Sequence, residues 1–413
     1  MNQWKGRAKV FSLMLFVLFL WAGLQPGLSL GQKAEADEKA HTPNISVKEW
    51  VEFSTPMIVI PMGAPASDSP PAAPEIVPSG NPKKVYQRAL AAIAGKDYST
   101  ALQNIDILDD EASSMGSTEE NEAAQYAIEL CKKIIQAKTD NLIHARAYYH
   151  LGMAYYHTGQ DNKAVEAAIE AVRLAPDDRN CLCHLSHLYL MANNYGQAIL
   201  CLEKALSIPR PVFRFRGDYD RQAIQAYLDN LDADTYSSLG FAYYRLGQLK
   251  QAIKALEKSV EIDPNDIIVY YYLGWAYFEN KDYESAKVAL LKALQLPEDR
   301  HLVYSPFFYA LGLVYGKLGK PDEAGEAYKK ALELDKDNAG ALNNLGALYD
   351  NRGNNVMAAD YYYRAGILFL KQNDRDGALL ALDNLSNTGS PLYEKLYSEV
   401  YPDMPLKEKR KKK

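Results

Sequence analysis

From Pro82 onward, small and apolar residues return at fixed intervals. A leucine followed by glycine or serine stands at Leu151-Gly152, Leu185-Ser186, Leu239-Gly240, Leu273-Gly274, Leu311-Gly312 and Leu345-Gly346. Three residues after each small residue comes a tyrosine: Tyr155, Tyr189, Tyr243, Tyr277, Tyr315 and Tyr349. Twelve after it comes an alanine: Ala164, Ala198, Ala252, Ala286, Ala324 and Ala358. Seven further on is another small residue: Ala171, Ala205, Ser259, Ala293, Ala331 and Ala365. Steps of three and seven keep residues on one face of an α-helix. The tripeptides Thr158-Gly159-Gln160, Leu246-Gly247-Gln248 and Leu318-Gly319-Lys320 interrupt the helical pattern as turns. Pro176 and Pro264 close segments, because proline lacks the amide that would continue a helix. The pattern predicts pairs of antiparallel helices, each of roughly a dozen residues. The small residues let the two helices of a pair approach, and the tyrosines fill the space between neighbouring pairs.

The interval between marker residues shows where the array is irregular. It is 34 from Gly152 to Ser186, 54 to Gly240, 34 to Gly274, 38 to Gly312 and 34 to Gly346. An insertion of 20 residues therefore falls in the second interval and one of four in the fourth. Residues 82–144 read as a degenerate pair, Val85 to Leu108 with Ala89, Tyr98 and Ala101 near the pattern, followed by an amphipathic bridging helix from Glu119 to Lys138. Residues 145–365 hold six regular pairs. Residues 366–400 read as a partial pair (Gly366, Phe369, Ala378) sharing a helix with the sixth, then a cap from Leu392 to Val400. Residues 401–413 form a basic tail ending KEKRKKK, expected to be disordered.

Four positions repeated six times resemble the tetratricopeptide repeat. The resemblance is close over 145–365 and implies an all-α, right-handed superhelical solenoid of antiparallel helix pairs. It further implies that the first helix of each pair lines a concave groove. The residues then facing inward include Tyr149 and Tyr156, His187, Phe241 and Tyr244, Tyr271, Trp275 and Phe278, and Tyr309, with polar Asn343, Asp350 and Asn351 at the far end. Rings dominate contact energetics, so a groove rich in them suits an extended peptide or an apolar partner helix. These nine residues are the candidate partner-binding set. The Lys/Asn/Arg clamp with which some members of the family hold a C-terminal carboxylate is not matched, since Tyr149, Met153, Cys183 and His187 occupy the corresponding places.

Composition supports the binding reading. Tyrosine is abundant, at 30 against 11 Phe and 4 Trp, and a ring with a polar end suits both packing and contact surfaces. The net charge of -6 gives no reason to expect nucleic acid as a partner. At the N-terminus, Lys5, Arg7 and Lys9 precede an apolar run from Val10 to Leu24, then small residues at Ser29 and Gly31. That order reads as a secretory signal over residues 1–31, or as a retained anchor attaching the chain to a membrane through residues 10–30. Eight prolines from Pro56 to Pro82 make residues 32–81 read as an extended tether, broken by one apolar stretch, VEFSTPMIVI. The expected location is the periplasm, free or membrane-anchored. Four cysteines are too few for a disulfide scaffold, and read as small core residues.

Chemistry is sparse. Cys181, Cys183, His184 and His187 share helix faces, with His150 and His157 one pair earlier, but no CxxC or HExxH sequence accompanies them and they do not amount to a metal site. The stretch Gly312 to Lys317 is one residue short of a phosphate loop and falls inside a helix. No nucleophile elbow or acid–base constellation is visible. The expectation is a non-enzymatic scaffold or assembly factor of the cell envelope, with no catalytic residue, metal or cofactor. A periplasmic protein holding a small hydrophobic solute in the aromatic groove is the alternative. The insertion at about 210–231, with Arg210, Arg214 and Arg216 among apolar residues and a helix from Asp218 to Leu231, reads either as a docking hook for an acidic partner or as a long surface connection.

Overall fold

A computed structural model describes residues 81–114, 117–210, 218–296 and 304–402. The signal or anchor, the tether, the arginines at 214 and 216 and the basic tail lie outside the described residues. Seventeen α-helices and no strand make up the described residues. They fall into two compact units that divide after Pro264.

The first unit contains α1 (Pro82–Ala94), α2 (Tyr98–Ser114), α3 (Ser117–Gln136), α4 (Asn141–His157), α5 (Asp161–Leu174), α6 (Arg179–Met191), α7 (Tyr195–Ser207), α8 (Asp218–Arg245) and α9 (Leu249–Ile262). Aspartates start two of these helices: Asp140 accepts from the Ile143 amide at 2.8 Å and Asp178 from the Asn180 amide at 2.9 Å. Each side chain satisfies a donor the first turn would leave unpaired. The helices pair in sequence, α4 with α5, α6 with α7 and α8 with α9. Where a marker glycine faces its partner helix, the fit is tight. A Cβ at Gly240 would stand 2.6 Å from Leu256 Cγ.

The second unit contains α10 (Ile267–Glu279), α11 (Tyr283–Gln295), α12 (Ser305–Lys317), α13 (Pro321–Leu334), α14 (Ala339–Asn351), α15 (Asn355–Lys371), α16 (Arg375–Asn387) and α17 (Leu392–Val400). Its helix α15 has 17 residues. It serves as the second helix of one pair and the first of the next, whose partner is α16. Leu396 of α17 seats on Gly366 and is fully buried, so α17 covers the open end of that last pair.

The turn between paired helices has one recurrent geometry. Seven residues after the marker the backbone takes a positive φ, at Gly159, Gly247, Gly319 and Gly353, where an L side chain would be strained. The same step leads from Ala89 to Lys96 (φ 62°) and from Gly366 to Asn373 (φ 57°). The degenerate first pair and the shared last pair therefore turn as the regular pairs do.

One element differs from its sequence reading. The segment from Asp218 to Leu231 is not a separate extra helix. It runs unbroken into the first helix of the third pair, making α8 28 residues long. Arg210 is held against it, donating to Asp232 Oδ2 at 2.8 Å and to Asp229 Oδ1 at 2.8 Å. Buried Arg179 of α6 also pairs with Asp232. Arg210 is thus engaged within the fold.

Candidate partner-binding faces

The nine candidate residues divide between the units, and burial sorts them. In the first unit Tyr149, Tyr156, Phe241 and Tyr244 are buried and His187 is half-buried. In the second, Tyr271 is buried, and Trp275, Phe278 and Tyr309 are half-buried. A continuous row of exposed rings is therefore not what the fold presents. The reason is lateral packing. A ring three residues before a marker lies against the first helix of the following pair: Tyr149 meets His184 edge-on at 5.1 Å, and Tyr271 tilts against Phe307 at 4.6 Å. Phe241, one residue after its marker, is covered by Tyr195 and by the Arg245 guanidinium, 5.6 Å from its ring.

The second unit keeps a linked series of rings whose outer members are accessible. Tyr304 touches Phe307, Phe307 touches Tyr271, and Tyr271 meets Trp275 edge-on at 6.3 Å. Trp275 meets Phe278 at 5.6 Å, and Phe278 meets Tyr283 at 5.6 Å. Buried rings at the root hold half-buried rings at the edge. Such anchoring presents an apolar surface at little entropic cost on binding. Tyr309 stands against Tyr328, and burial pushes its phenol up to about 12. Sequence reasoning missed Tyr304, Phe307 and Tyr283 because they lie outside the inward-facing positions. The run Ser305-Pro306-Phe307-Phe308-Tyr309 was the available signal.

The first unit holds a different cluster. His150 and His157 of α4 and His184 and His187 of α6 interleave with Tyr149 and Tyr156. His150 Nδ1 lies 2.8 Å from Asp109 Oδ2 of α2, and its Nε2 lies 3.3 Å from Asp106 Oδ1. Burial pushes the Asp109 carboxyl up and lowers His150. Burial lowers His157 to about 4 and His187 to about 4. No group of three or more potential ligands among the described residues is placed to hold a metal ion. Cys183 rests 3.6 Å from Thr235 Oγ1, and burial pushes its thiol up to about 11. That environment suits a packed cysteine and not a reactive thiolate. Gly312 to Lys317 lies within α12.

Family models agree with this architecture. Tetratricopeptide-repeat family models match residues 145–178, 180–211, 267–300, 305–338 and 327–361, and a model described as TPR repeat matches 240–281. Similar solved structures include MamA, 26% identical, covering 46% of this chain and 96% of that one with a TM-score of 0.36. YrrB, described as a TPR protein with an unusual peptide-binding site, is 19% identical, with 52% and 97% covered and a TM-score of 0.42. The Cut9–Hcn1 hetero-tetramer of the APC/C is 16% identical, with 74% and 54% covered and a TM-score of 0.47. No curated protein sequence matches the chain. Six helix pairs with marker residues at helix crossings, family matches across 145–361 and an all-α architecture make this chain a tetratricopeptide-repeat protein.

Proposed function

We propose that this chain is a non-enzymatic interaction scaffold that holds a protein or peptide partner through the first-helix faces of its repeats. The observation that carries the proposal is the ring series of the second unit. There Trp275, Phe278 and Tyr309 keep part of their surface open while Tyr271 and Phe307 anchor them from within. Rings fixed in this way suit an apolar side chain of an extended peptide or an amphipathic helix. In the first unit the corresponding rings are spent on packing, so the contact we propose there is confined to half-buried His187. We further propose an exported protein acting in the envelope, on the strength of the basic and apolar order from Lys5 to Gly31. No helix among the described residues is long and apolar enough to cross a membrane.

The experiment is photocrosslinking in intact cells with a photoreactive aromatic in place of Phe278 and, as outer-surface control, in place of exposed Glu323. A discrete protein adduct from position 278 and none from 323 supports the reading. Equal adducts from both positions, or none from 278, overturns it. Cell fractionation with N-terminal sequencing tests export: cytosolic protein beginning at Met1 rejects that part.

A further inference from the structure

Five of the chain's seven histidines fall within residues 144–187, and four of them meet in one joint. They form two histidine–tyrosine–histidine clusters with edge-on ring contacts. Tyr149 lies between His150 and His184, each ring 5.1 Å away. Tyr156 lies between His157, at 5.5 Å, and His187, at 6.0 Å. In each cluster one histidine belongs to α4 and the other to α6, so the histidines occupy the seam between the first and second repeats.

The sequence has made room for them. Sixteen residues after the marker the other repeats carry a large side chain, Leu202, Leu256, Leu290, Tyr328 and Tyr362, and the last four pack on the marker glycine of the first helix. The first repeat has Ala168 there, and His184 of the next repeat fills the gap. A Cβ at Gly152 would stand 2.9 Å from His184 Nε2 and 3.3 Å from the Ala164 carbonyl oxygen. The His184 ring is buried and its Nε2 makes no hydrogen bond. A protonated ring there would place a charge in a close-packed interior with its Nε2–H lacking a protein acceptor.

We propose that the seam between α4–α5 and α6–α7 is an acid-sensitive joint, opened by protonation of His157, His184 and His187. Three like charges would then face one another across a close-packed seam. Burial holds these rings neutral, lowering His157 to about 4, His184 to about 3 and His187 to about 4, with mutual repulsion as the second cause for His184 and His187. In an open joint the rings titrate near 6.5. The open state therefore takes up protons first as pH falls below 6.5, and the closed seam loses stability from there downward.

The surrounding groups confine the effect. Those facing the seam include Asp106 and Asp109 from α2, Cys131 from α3, Arg146 from α4, Asp161 from α5, Cys181 from α6, Cys201 from α7 and Tyr227 from α8. Asp106 and Asp109 approach His150 and have the opposite sign. Burial raises Asp106 to about 6 and Asp109 further, so the folded state holds their protons more tightly than the open one. Their contribution is present at low pH and is lost as pH rises, for Asp106 through about 6. His150 is itself lowered by burial, so its own loss below 6.5 opposes that gain at the α2–α4 contact, and the device is confined to the α4–α6 seam.

The test is hydrogen exchange on the full chain from pH 7 to 5, corrected for the intrinsic pH dependence of exchange. Each of the three histidines weakens the seam by up to about tenfold per pH unit below 6.5, so protection across 141–207 should fall by as much as about a thousandfold per unit. Residues 305–387, which contain no histidine, serve as the internal reference and should change far less. The triple variant His157→Gln, His184→Leu, His187→Gln should remove most of the excess slope. If that variant does not fold, His187→Gln alone should reduce the slope by up to about tenfold per unit. Parallel loss of protection in both segments, or an unchanged slope in the folded variant, overturns the proposal.

Discussion

Two glycines four residues apart on the same helix illustrate how sharply position decides the worth of a residue. In α12, Gly312 faces the ring of Tyr328, which is buried, while nothing lies within 4 Å of a Cβ built at Gly316. Gly316→Ala adds helix propensity in open space and should stabilise by up to about 1 kcal/mol. Gly312→Ala drives a methyl into the Tyr328 ring and should destabilise by about 1–3 kcal/mol, the usual cost of overpacking. Urea denaturation of the two variants checks the pair of signs. If both substitutions stabilised, the marker glycine would not be a contact residue. The role of Gly312 was legible from its recurrence. The identity of what it touches was not, because the facing residue sits on another helix and varies from Ala168 to Leu256 to Tyr328.

At the scale of elements, the long helix α8 is tied to its neighbours by charge. Asp232 receives Arg179 from α6 and Arg210 from the connection preceding α8. Arg179 and Asp232 are both buried, so Asp232→Ala would leave a buried guanidinium without its partner. Removing one member of a buried ion pair costs about 3–5 kcal/mol. The expected outcome is a loss of that order in thermal or urea stability, with Asp232→Asn retaining part of it through a hydrogen bond. A change below 0.5 kcal/mol on Asp232→Ala would show that water reaches the pair. The sequence presented the insertion as an arginine-bearing segment with a following helix, and its composition suited a docking hook as well as a long surface connection. Contact with Asp229 and Asp232, 19 and 22 residues away, showed where Arg210 is engaged.

At the scale of the whole molecule, stability in a repeat array is approximately a sum of terms within and between neighbouring repeats. Damage at one end should therefore stay there. Leu396→Asp places a carboxylate where Leu396 is fully buried on Gly366, beside Phe369 and Leu385. Hydrogen exchange should show lost protection over residues 355–400 and unchanged protection over 82–207. Uniform loss across both segments would mean that the array unfolds as one cooperative body. The periodic features, helix pairing, turns and marker positions, were determined by the sequence alone. Each depends on contacts within about 20 residues, and the same local solution was written six times. Which rings remain open to a partner was decided only by the tertiary structure. Tyr149 and Tyr271 were inward-facing by position, yet His184 and Phe307 of the following repeats cover them. Burial is a property of a residue together with its neighbours on other helices, and no periodicity within one helix encodes it. The histidine joint has the same origin: its members were visible along the chain, and only the packing of α4 against α6 made them a cluster.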